Sequence, residues 1–74
     1  MPAQIVMDSN GDSRYFFDAS DVQSLRQAEA RYKALTTKGY RAIAPGKRGQ
    51  PGQLLTGFDE NVEETLFVPH LVGG

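Results

Sequence analysis

The stretch Glu63-Glu64-Thr65-Leu66-Phe67-Val68-Pro69-His70-Leu71-Val72-Gly73-Gly74 decides how the rest of the chain is read. Thr65 to Val68 is an apolar, strand-prone run. Pro69 has no N–H to give a ladder, so it marks the end of that strand or a bulge. A last strand must pair somewhere. If it lies beside the first strand, the contact is parallel, and a connection long enough to cross over must lie between them.

Working outward, Gln4-Ile5-Val6-Met7 is a short apolar run and Arg14-Tyr15-Phe16-Phe17 an aromatic one. Asn10-Gly11 between them signals a type I′ hairpin turn, because both residues tolerate positive φ. The expected hairpin covers residues 3–8 and 13–18. Ser20 with Gln23 has the form of a capping box, and Asp21 suits the positive end of a helix. Val22, Leu25, Ala28, Tyr32 and Leu35 then share one side at helical spacing, and Gly39 is a natural left-handed stop. The spacing predicts a helix over 20–38, with Glu29 and Lys33 an i, i+4 pair. Tyr40 to Ala44 reads as the third strand. The Pro- and Gly-rich segment 45–52 reads as a loop, Gln53 to Thr56 as a short fourth strand, and Phe58 as a turn residue tucked into the core.

This order gives an α+β domain with one helix across one face of a sheet. Two arrangements satisfy it: a β-grasp of ββαββ(β) order with a mixed sheet, or a simple antiparallel sheet under the helix. Residues 1–69 are expected to form a single globular domain, and 70–74 an exposed flexible tail.

A chain of 74 residues buries only about 60% of the surface it exposes when unfolded, so its core is thin and a large enclosed cleft is not expected. Function is expected on a surface or a terminus. A net charge of −1 offers no basic excess for nucleic acid. No apolar run approaches the ~20 residues that span a bilayer, and residues 1–4 have no signal-peptide character. No membrane association is expected, and the default location is cytoplasmic. The absence of cysteine removes disulfides, thiolate nucleophiles and cysteine metal sites together. One His is too few for a metal cluster. No nucleophile–base set is visible, so the chain is not expected to be an enzyme.

The order of elements, the Gln4-Ile5-Val6 strand, the glycine turn, the capped helix and above all Glu64-Thr65-Leu66-Phe67-Val68 followed by Gly73-Gly74 resemble ubiquitin and its small relatives. The resemblance covers nearly the whole chain as a pattern of elements, and it implies the β-grasp. Pro69 and the less basic segment Pro69-His70-Leu71-Val72 depart from the family pattern. The resemblance further implies a protein modifier or sulfur carrier whose C-terminal carboxylate, at Gly74, is joined to AMP by a partner adenylating enzyme. A thiol, a lysine amine or a sulfur donor then attacks the activated carbonyl. ATP and magnesium would belong to that enzyme, with no cofactor intrinsic to the domain. The partners implied are the activating enzyme and either target proteins or a sulfur-transfer enzyme, and a monomer is expected. Gly73 and Gly74 suit such chemistry, since a carboxylate threaded through a narrow channel tolerates no neighbouring Cβ. From Pro69 to Gly74 an extended chain reaches roughly 20 Å.

Other residues have blander readings. Gly46-Lys47-Arg48-Gly49 lacks the spacing and the Lys-Ser/Thr of a phosphate loop, and reads as a solvated basic loop. Asp59, Glu60, Glu63 and Glu64 read as an acidic surface rather than an acid–base pair, and a lone His70 as polar tail. Tyr15, Phe16 and Phe17 are adjacent, so alternation sends them to both sheet faces. Some apolar side chains must therefore sit on the face without the helix. A docking patch is expected there, drawn from Phe16 and Ile43, or Val6 and Phe67, with Leu71 beyond them. This surface supports a second reading: a small non-covalent binding module in which Gly73-Gly74 is incidental.

Overall fold

The computed structural model describes residues 1–69. Its elements run β1 (Ala3–Asp8), β2 (Gly11–Phe16), α1 (Val22–Thr37), β3 (Tyr40–Ala44), β4 (Gln53–Leu54) and β5 (Glu64–Pro69). The strands form one mixed sheet in the order β2-β1-β5-β3-β4. β1 pairs parallel with β5, and every other pairing is antiparallel. The simple antiparallel arrangement is thereby excluded. The domain is α+β, with one helix on one face of a five-strand sheet.

Several local expectations are corrected. The two residues between β1 and β2 are Ser9 and Asn10, and neither has positive φ, so the turn is not type I′. The Asp8 carboxylate accepts from the Asn10 N–H at 2.8 Å and shapes the turn instead. Gly11, at φ 116°, takes the left-handed conformation and starts β2 earlier than residue 13. The helix is capped by Asp21, not Ser20: the Asp21 carboxylate accepts from the Gln23 N–H at 3.2 Å. Ser20 Oγ donates to Asp18 Oδ1 at 2.7 Å, so its hydroxyl is spent on the preceding turn. The helix therefore spans 22–37, and Gly39 ends it at φ 100°. Val22, expected on the buried stripe, is 64% exposed; the buried helix residues are Ala28 and Tyr32. Glu29 and Lys33 do pair, at 3.9 Å on the exposed side.

The core lies between α1 and the sheet. Val6, Tyr32, Ala42 and Phe67 form its centre, flanked by Leu35, Tyr40, Leu55 and Phe58. The aromatic rings meet at angles: Tyr32 lies 5.9 Å from Phe67 and 6.1 Å from Phe58, and Phe17 lies 5.8 Å from Phe58. Such tilted pairs contribute about 0.5–1.5 kcal/mol beyond their area burial. One polar side chain enters this layer. Gln4 is 1% exposed and is fully paired, donating to the Ala28 carbonyl and accepting from Arg31. Pro69 stands at the last position of β5, opposite Tyr40, where a missing N–H costs least.

Candidate functional site

Strand alternation sorts the candidate residues. Gln4 bonds to the helix, and Val6 and Phe67 pack on Tyr32, so these side chains face α1. Their neighbours along each strand face the other way. Register then lines up Arg14, Ile5, Leu66, Ile43 and Leu54 in one row across all five strands, on the face away from the helix. Phe16 lies on the same face, beside Ala3.

The proposed docking residues therefore separate. Phe16 is 59% exposed on the open face, and Ile43 is half-buried there. Val6 and Phe67 are not on that face. They are core residues under the helix, and Phe67 is 0% exposed, so neither is available to a partner. Their placement follows from the parallel β1–β5 register, which sets Val6 beside Phe67 and Ile5 beside Leu66. Leu71, Gly73 and Gly74 lie outside the described residues, as does His70.

Three open-face residues are absent from the sequence expectation. Leu66 and Ile5 join Ile43 in the row, and Leu54, at 60% exposed, ends it. Ile5 is nevertheless buried, standing between Arg14 and Leu66 in the row. Only the register could have found these neighbours. The sequence signal, a doublet of apolar residues in each central strand, does not say which member points where.

Tyr15 and Phe17 take the helix side of the sheet, with Phe17 buried and Tyr15 under the Arg31 guanidinium, 4.2 Å from its ring centre. That stacking and the Gln4 bond hold Arg31 across the end of β2. Neither group is positioned against a cleft.

Two depressions lie among the described residues. A shallow, open depression of about 520 Å³ lies between the 45–47 loop and residues 61–64, lined by Lys47, Asn61, Glu63 and Glu64 among others. A second, of about 370 Å³, runs along the same loop. Neither contains a nucleophile beside a base. Among the described residues, no group of three His, Asp or Glu side chains comes together as a metal site. The acidic residues 59, 60, 63 and 64 are all exposed.

The 45–52 loop is well formed. The Gln50 N–H donates to the Lys47 carbonyl at 2.8 Å, and Gly49 adopts φ 78°. Gly46 sits so close to the Gln50 and Pro51 carbonyl oxygens that a Cβ there would collide with them. The turn presents Lys47 and Arg48 to solvent.

Two ionisable groups are shifted. Hydrogen bonds from the Ser20 hydroxyl and Ser20 N–H hold the exposed Asp18 carboxyl below its ordinary value. Burial raises the Tyr32 phenol. Both act in the scaffold, at the helix start and in the core. No helix among the described residues is long and apolar enough to cross a membrane. Comparison with known proteins found no matching family model, no matching curated protein and no matching solved structure.

Proposed function

We propose that this chain is a ubiquitin-like β-grasp protein that acts through the carboxylate of Gly74, as a protein modifier or a sulfur carrier. The observation that carries the reading is the parallel pairing of β1 with β5, at the centre of a mixed sheet gripping one helix. It supports the β-grasp arrangement over the alternative. It also makes β5, which ends at Pro69, the strand from which Gly73 and Gly74 follow within five residues. The reading requires a free carboxylate on Gly74, whether encoded or released by hydrolysis after it.

In this reading the protein is a substrate or carrier. The carboxylate oxygen attacks the α-phosphorus of ATP in a partner enzyme, pyrophosphate leaves, and the acyl-adenylate forms. A thiolate, amine or sulfur donor then attacks the carbonyl and displaces AMP.

The test compares native-host cells expressing N-terminally tagged protein with Gly73-Gly74 intact or Gly74 deleted, read by mass spectrometry. Lysine adducts carrying the C-terminal peptide, lost on deletion, are the result expected of a modifier. Exchange of oxygen for sulfur at the terminus is the result expected of a carrier. Identical unmodified species from both, with the activating enzymes expressed, would overturn both.

The row Leu66, Ile43 and Leu54, with Phe16 exposed on the same face at the β2 edge, favours a second reading, the non-covalent binding module. There Gly74→Ala is silent, while Ile43→Glu or Phe16→Glu abolishes partner capture and leaves the circular dichroism spectrum unchanged.

A further inference from the structure

β2 is an edge strand, and among the described residues nothing pairs with its outer side. The Phe17 N–H donates to the Pro2 carbonyl at 3.0 Å. Alternation along an antiparallel pair then turns the N–H and C=O of residues 11, 13 and 15 toward β1, and those of Asp12, Arg14 and Phe16 outward. Natural edge strands are usually blunted by proline, a bulge or charged side chains. β2 has no proline and no bulge, its register with β1 being continuous over six residues, and its two charges, Asp12 and Arg14, are of opposite sign, so they repel only a strand that sets like charges opposite.

The charges on this edge complement themselves. Asp12 and Arg14 are opposite in sign and two residues apart, hence on one face. We propose that β2 pairs antiparallel with β2 of a second copy, about a two-fold axis at Ser13. This register sets Asp12 of each copy opposite Arg14 of the other, in pairs that exchange both backbone hydrogen bonds. It brings the two small Ser13 side chains together at the axis and lays Tyr15 over Gly11 of the other copy, where there is no side chain to clash.

Competing registers are worse. Centring on Arg14 or on Asp12 sets like charges directly opposite, which is destabilising. Centring on Tyr15 pairs Asp12 with Asp18, whose N–H is already given to Ser24 Oγ at 2.8 Å. The two-fold runs through the sheet, so both helices lie on one side and both open faces on the other. Edge pairing of this length buries little surface, which makes the dimer a weak, transient one. The proposal departs from the monomer expected from the sequence and does not depend on the Gly74 chemistry.

Sedimentation equilibrium of the whole chain, from micromolar to millimolar at low salt, tests it. The wild-type chain is expected to form a dimer that weakens with added salt. Asp12→Arg and Arg14→Asp, each alone, are expected to raise the dissociation constant about tenfold or more, because each places like charges across the axis. An equimolar mixture of those two chains recovers association, as does the single chain carrying both substitutions. Recovery on mixing also shows that each variant is folded. A wild-type chain that stays monomeric at millimolar concentration overturns the proposal. So does a dimer indifferent to both reversals, or a mixture of folded variants that fails to associate.

Discussion

Arg31 Nη1 donates to Gln4 Oε1 at 2.8 Å, tying the helix to the first strand across 27 residues of sequence. The other end of the Gln4 amide, Nε2, donates to the Ala28 carbonyl at 2.9 Å. Gln4 is thus a buried polar group with both ends used, which is what makes its burial tolerable. Gln4→Glu keeps the shape and the bond from Arg31 but puts an acceptor against the Ala28 carbonyl. A loss of about 1–3 kcal/mol is expected at neutral pH. Part of it returns in mild acid, where a protonated carboxyl donates again. Urea unfolding at the two pH values measures both.

The helix cap separates two neighbouring hydroxyl and carboxyl groups. Asp21→Ala removes the acceptor for the Gln23 N–H and is expected to cost about 1 kcal/mol. Ser20→Ala loses only an exposed bond to Asp18 and is expected to stay within about 0.5 kcal/mol. Thermal melts of the two variants side by side decide whether the cap is Asp21 or the capping-box serine.

Two glycines without positive φ make a matched pair. A Cβ at Gly46 runs into backbone oxygens of Gln50 and Pro51, while one at Gly57 meets nothing within 4 Å. Gly46→Ala is expected to destabilise by about 1–3 kcal/mol, as overpacking does. Gly57→Ala is expected to be neutral within about 0.5 kcal/mol. Chemical denaturation of both variants is the check.

The core and the open face differ in what they tolerate. Phe67→Ala empties a fully buried site beside Tyr32 and is expected to cost about 3–5 kcal/mol, enough to unfold much of so small a domain. Phe16→Ser, on the open face, is expected to leave the melting temperature nearly unchanged. Circular dichroism melts distinguish the two.

Tyr32 is expected to contribute to the fall of stability at alkaline pH. Burial raises its phenol above the ordinary value near 10. The folded state then holds its proton longer than the unfolded chain does. Its contribution is complete below pH about 10 and is lost as pH rises through the folded-state value. Wild-type stability is expected to fall relative to Tyr32→Phe across that interval, as followed by denaturant midpoints with ultraviolet titration of the phenols.

Local physics was legible in the residues themselves. The apolar stripe Val22, Leu25, Ala28, Tyr32, Leu35 read as a helix face, though Val22 proved exposed, Gly39 could end that helix, and Tyr40 to Ala44 could be a strand, because spacing and backbone preference act within a few residues. The limits of local reading were also local: the sequence pointed to Ser20 as the cap and to Asp21 only as a charge suited to the helix start, whereas Ser20 bonds to Asp18 and Asp21 is the cap. Which strand lies beside which is a different kind of fact. The parallel contact of β1 with β5, the row joining Ile43 to Leu66 and Ile5, and the burial of Val6 and Phe67 depend on register, and a slip of one residue would exchange the two faces. Gln4 shows the same limit from the polar side, since its partners Ala28 and Arg31 reach it only once the helix has folded back over the sheet. The sequence by itself determined the elements and the α+β class. Tertiary structure alone decided which apolar residues became core and which became surface, because the side chains of a strand acquire an inside only when a neighbouring strand and a helix supply one.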